Sequence, residues 1–176
     1  MLKSIYRFLS PKFQNIFLDY KVDMRPRYGH GLPAHKGLYE IINAHRSDYE
    51  LILKEALKYK EQFWIIKDSS IEKDSIKPAW NNGFLPGLDI IAIYAILAKF
   101  KPSKYIEIGS GNSTKVAYKA KKELGLTTKI ISIDPMPRAE IDSLADEVHR
   151  KPFENLDFDI VDLLEENDIL FVDNSH

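Results

Sequence analysis

The residues best suited to chemistry are Glu107, Gly109, Gly111 and Asp134. Glu107 sits inside a short apolar run with Tyr105, Ile106 and Ile108. The chain then turns through Gly109, Ser110, Gly111, Asn112 and Ser113 into residues 115–124, which read as a helix. Two glycines let backbone approach a ligand with no Cβ in the way. The helix start behind them offers free N–H groups and a positive dipole end, suited to a carboxylate or phosphate. A second β-branched run, residues 129–133, ends in Asp134 and Pro135. An acid at the tip of a second parallel strand can accept hydrogen bonds from both ribose hydroxyls. Strand, glycine turn, helix, strand and acid together predict a βαβ unit for a nucleoside-containing cofactor. A third apolar run, residues 169–172, reads as a buried strand that ends in Asp173.

These residues need a framework. Apolar positions at Leu38, Ile41, Ile42, His45, Tyr49, Ile52, Leu53, Ala56, Leu57 and Phe63 recur mostly at three and four, which predicts one helix over residues 38–63. Residues 67–79 are charged and read as an exposed connector. Trp80, Asn81, Asn82, Gly83, Phe84, Leu85, Pro86 and Gly87 read as a lid over a cofactor or as a turn with aromatic core plugs. Residues 88–100 are apolar nearly all round, so a buried helix is expected there. Val116, Ala117, Ala120 and Leu124 should face inward, Lys115, Lys119, Lys121 and Lys122 should form a solvated face, and Gly125 should end the helix. Residues 138–145 read as a short helix and 147–151 as a weak third strand.

Two upstream stretches carry open alternatives. Leu2, Ile5, Tyr6, Leu9, Phe13, Ile16 and Phe17 alternate with Lys3, Arg7 and Lys12, a basic amphipathic pattern interrupted at Pro11. It suits a membrane surface or a partner, or packing on the rest of the protein or a second subunit. The loop holding Arg25, Arg27, Tyr28, His30 and His35 could touch an anionic or sugar-like substrate, or serve as a linker.

Composition narrows the classes. A length of 176 residues suffices for one sizeable core, and the formal net charge of -1 gives no electrostatic case for nucleic acid. The absence of cysteine excludes disulfides and thiolate metal sites and fits a reducing, cytoplasmic compartment. No apolar run reaches the length of a membrane span.

The stretches 107–114, 131–135 and 169–176 resemble the class I S-adenosylmethionine-dependent methyltransferases, above all the bacterial branch whose fourth strand ends in Asp-x-x-His. Residues 27–35 and 80–89 extend the resemblance upstream. It implies an α/β fold: a Rossmann-like parallel sheet with helices on both faces, preceded by an N-terminal helical segment. Residues 1–79 would be a helical extension and connector, and 80–176 the S-adenosylmethionine-binding domain. Glu107, Gly109, Ser110, Gly111, Asn112 and Ser113 would form the first cofactor loop. Asp134 would hold the ribose, Phe153 would stack on adenine, and Asp173 and His176 would be catalytic. The expected activity is methyl transfer to a small-molecule or sugar-type acceptor, with oxygen the first choice of acceptor atom and nitrogen or carbon open. In related catechol-type enzymes an acid like Asp173 helps hold a divalent metal, but no complete ligand set is visible here.

The family sheet has seven strands and four are visible, so the expectation is an incomplete fold, a fragment whose fourth strand is an exposed apolar edge unless another chain or the N-terminal segment covers it. Self-association through the N-terminal helix or that edge is a further expectation. A nicotinamide-dependent Rossmann enzyme is the rival reading. Its fingerprint wants a third glycine where Thr114 stands. A cofactor-binding fragment without turnover is the other.

Overall fold

The computed structural model describes residues 2–173 except 14, 16, 24, 30, 138, 139, 158 and 160. The chain forms two compact units, residues 1–44 and 45–176.

The first unit holds α1 (Leu2–Leu9) and α2 (Lys36–Ala44). After α1 the chain turns, with Phe13 N–H donating to Ser10 O at 3.1 Å. Phe13 then meets Tyr6, and Phe17 meets Phe8, both edge-on with ring centroids 6.1 and 5.9 Å apart. In the loop before α2, the Tyr28 ring packs edge-on against His35 at 4.8 Å, and His35 Nδ1 accepts the Leu38 N–H at 3.3 Å. His35 thus serves the start of α2. His30 lies outside the described residues.

The second unit runs α3 (Arg46–Leu57), α4 (Lys60–Trp64), α5 (Gly87–Phe100), β1 (Lys104–Ile108), α6 (Asn112–Leu124), β2 (Lys129–Ile133), β3 (Glu147–His149) and β4 (Ile169–Val172), with 3-10 turns at Phe153–Asn155 and Val161–Leu163. The strands lie in the order β3-β2-β1-β4 and every pairing is parallel. This is a Rossmann-like α/β sheet. Tyr105 registers with Ile130 and Ile169, and Glu107 with Ser132 and Phe171. Alternation then sends Tyr105 and Ile130 to one face and Ile106, Ile108, Ile131 and Ile133 to the other.

The α-helices of this unit pack on the first face. The apolar α5 lies between α3 and α6, with Ile90, Ile93, Tyr94 and Leu97 buried. The buried Tyr94 hydroxyl donates to Glu123 on α6 at 3.1 Å. Val116, Ala117 and Ala120 of α6 face inward, and Gly125 closes the helix at φ 62°. Helices were expected on both faces, but among the described residues the second face carries no α-helix; Leu156, Leu163 and Leu164, in and after the 3-10 turns, cover it.

Two further elements differ from the sequence reading. The pattern over residues 38–63 is divided among α2, α3 and α4, with His45 and Tyr59 leaving helical geometry at φ near -100° (-102° and -109°). Its apolar stripe is largely exposed: α2 buries none of its residues and α3 only Ala56. Residues 140–145 form a turn, held by Leu144 and Ala145 N–H donating to Ile141 O, and not a helix. β4 does lie at the sheet edge, with Leu170 and Val172 exposed. No helix among the described residues is long and apolar enough to cross a membrane.

Candidate functional site

At the carboxyl ends of the strands lies a cavity of about 650 Å³. Gly109–Ser113, Lys115, Asp134, Met136 and Asp173 bound one side, and residues of the segment 69–85 bound the other. The strand order reverses beside β1, between β2 and β4, the place where open parallel sheets form a ligand crevice.

The glycine turn is built from below. Gly109 continues the ladder, its N–H donating to Ile133 O at 2.9 Å, and takes φ 84°. Gly111 takes φ 155° with ψ -114°, a conformation L side chains rarely adopt. Beneath the turn Glu107 is fully buried. Ser113 Oγ donates to its Oε2 at 2.9 Å and Ser132 Oγ to its Oε1 at 3.0 Å; Thr114 Oγ1 also donates to Oε1. Thr114 Oγ1 in turn accepts the Gly111 N–H at 3.0 Å. One carboxylate therefore joins β1, β2 and the first turn of α6. Burial pushes the Glu107 carboxyl up to about 7; the three hydroxyls act against this, and the nearby Asp134 charge adds to it.

Asp134 follows β2 and is nearly buried. Its Oδ2 accepts the Ser110 N–H at 2.8 Å and Ser110 Oγ at 3.3 Å, and its Oδ1 accepts the Met136 N–H at 2.7 Å. Arg150 Nη1 donates to the Asp134 carbonyl at 3.0 Å. Asp173 is set beside the turn by its own N–H, which donates to Ile108 O at 3.0 Å.

The opposite wall rests on Asn82. Its Nδ2 donates to Ala79 O and Leu85 O at 2.9 and 3.1 Å. Its Oδ1 accepts the Phe84 and Leu85 N–H groups at 3.0 and 2.8 Å, and Asn112 Nδ2 at 3.1 Å. The turn at residues 79–85 is thereby tied to the start of α6. The segment before it is anchored where Asp68 bridges Trp80, with Asn81 Nδ2 donating to Asp68 Oδ2 at 2.7 Å. Between these anchors Glu72, Lys73, Asp74 and Lys77 border the cavity.

The structure thus brings Gly109, Ser110, Gly111, Asn112, Ser113, Asp134 and Asp173 to one cavity, with Glu107 underneath. Phe153 begins a 3-10 turn after β3 and does not line this cavity. His176 lies outside the described residues. Among the described residues, no group of three or more His, Asp or Glu side chains could hold a metal ion. Two contributors were not singled out in the sequence. Asn82 lies in the stretch that read as a lid over a cofactor or as a turn, which gave its place but not its partners. Lys115 read as solvated, yet it lines the cavity, makes no ion pair among the described residues, and has its pKa lowered by burial. Its neighbours Lys119 and Lys121 do pair, with Glu123 and Asp146.

No family model matches the chain, and no curated protein or solved structure is significantly similar to it.

Proposed function

We propose that this chain is an S-adenosylmethionine-dependent methyltransferase of the class I type, acting at an oxygen of a small or sugar-type acceptor. The observation that carries this reading is the single cavity joining the glycine turn after β1, Asp134 after β2 and Asp173 after β4. Its volume falls in the range of small-molecule sites, roughly 300–1,000 Å³.

The residues fit the cofactor. Asp134 Oδ1 retains an acceptor position beside the Met136 N–H, and the long Ser110 Oγ contact on Oδ2 is the one a ribose hydroxyl would replace. Gly109 and Gly111 admit the amino-acid half against the backbone, and Lys115 would face its carboxylate. S-adenosylmethionine supplies a methyl group on a sulfonium, which needs no activation by protein. The chain's own part is then positioning and proton removal. Asp173, beside the turn, is the candidate base. Exposed Phe84 and Met136 border the cavity and suit the apolar face of a ring-shaped acceptor.

Thr114 argues against a dinucleotide. It stands where the close-packing third glycine would be, and its hydroxyl is committed to Glu107 and Gly111. Titration calorimetry with S-adenosylhomocysteine and with NADH tests the reading. Micromolar binding of S-adenosylhomocysteine alone is expected. Binding of NADH alone would replace the proposal with the oxidoreductase reading, and binding of neither would remove it.

A further inference from the structure

The first unit has a surface that the cavity does not explain. Its α1 places Ile5, Tyr6, Phe8 and Leu9 along one side and Lys3, Ser4 and Arg7 along the other, at 100° per residue. The apolar side is not buried: Leu9 is 72% exposed and Phe8 55%. The returning strand of chain continues the surface, with Phe17 78% exposed and Tyr20 74%. The two edge-on ring pairs, Tyr6 with Phe13 and Phe8 with Phe17, hold these aromatics as one layer.

Charge is distributed just as unevenly. Six lysines and arginines stand against two aspartates in residues 1–27, whereas the whole chain has a net charge of -1. No acidic residue precedes Asp19. The Arg7 guanidinium lies 5.9 Å from the Phe13 ring centroid, so cation and aromatic layer share one edge.

We propose that residues 2–20 dock the protein peripherally on an anionic lipid surface. Phenylalanine, leucine and tyrosine would enter the headgroup boundary, and Lys3, Arg7 and Lys12 would meet the lipid phosphates. An eight-residue α1 is about 12 Å long, too short to fill a protein groove or a helix pair, and marginal as a free helix. A bilayer boundary asks for neither length nor a complementary pocket. It needs an apolar layer rimmed with positive charge, which this segment has.

The test is co-sedimentation of the full 176-residue chain with phosphatidylcholine vesicles, with and without phosphatidylserine, at low and high salt. Binding to the anionic vesicles alone, weakened by salt, is expected. Lys3→Gln with Arg7→Gln should lower partitioning roughly 30-fold, about fivefold for each basic residue lost. Phe8→Ser with Phe17→Ser should abolish it, with the thermal transition of the second unit unchanged as a control on folding. Equal binding to neutral vesicles, or none at low salt, would overturn the proposal. Concentration-dependent dimerisation abolished by the Phe8→Ser, Phe17→Ser pair, without vesicle binding, would overturn it in favour of a second copy.

Discussion

The Asp134 carboxylate accepts the Ser110 N–H at 2.8 Å, so the tip of β2 fixes the turn that leaves β1. Removing that side chain has two effects in the proposed site. Asp134→Ala loses the ribose acceptor and loosens the glycine turn. S-adenosylhomocysteine should bind about 10- to 100-fold more weakly, the loss of charge-assisted hydrogen bonds of ~1.5–3 kcal/mol. Unchanged affinity by calorimetry would exclude Asp134 from the ribose.

Glu107 should make stability depend on pH in an unusual sense. Its carboxyl ordinarily titrates near 4.5, and burial pushes it up to about 7. Between those values the folded protein keeps a proton that the unfolded chain has released. Stability from this group is therefore fully present below pH 4.5 and is lost as pH rises through 7. The loss is on the order of 3 kcal/mol. Glu107→Gln keeps the shape and removes the titration, so the fall in stability across this window should flatten. Urea unfolding at a series of pH values checks this; parallel curves for both proteins would assign the dependence elsewhere.

Asn82→Ala should act on the fold and the site together. It leaves two carbonyls, two backbone N–H groups and the Asn112 amide short of a partner. A cost of about 2–3 kcal/mol follows, a fall of roughly 5–10 °C in Tm. Weaker S-adenosylhomocysteine binding should accompany it. A melting temperature within a degree or so of the parent would show that solvent replaces these contacts freely.

Lys115→Met should separate charge from packing. The lysine is half-buried, lines the cavity and makes no ion pair among the described residues. Its replacement should leave thermal stability intact, weaken S-adenosylhomocysteine about 5- to 30-fold, and reduce the dependence of affinity on salt. Retained affinity with retained salt dependence would place the ligand's carboxylate elsewhere.

Legibility in the sequence followed the strength of local signals. β1, β2 and β4 are apolar runs bounded by turn residues, and α5 and α6 are bounded by Gly87, Pro102 and Gly125. Those signals also placed the glycine turn, Asp134 and Asp173 at neighbouring strand ends. The divisions at His45 and Tyr59 had no such marker. Neither residue is glycine or proline, and the three-and-four spacing runs on across both. Residues 140–145 carried helix-forming side chains but were taken up by a turn on Ile141, which is fully buried. The far wall of the cavity was legible only where residues 80–87 read as a lid or a turn. Glu72, Lys73 and Lys77 look like any charged connector, and only the anchors at Asp68 and Asn82 bring them to the glycine turn.

The central position of β1 also sets an order of assembly. Glu107 reaches Ser132 across 25 residues, whereas Lys104 reaches Asp168 across 64. Closing the longer loop costs about 0.8 kcal/mol more chain entropy, before any contact repays it. On this ground the glycine turn, Glu107 and Asp134 should form before β4 brings Asp173 to them. Substitutions in that earlier part should slow refolding, while those on β4 should chiefly hasten unfolding.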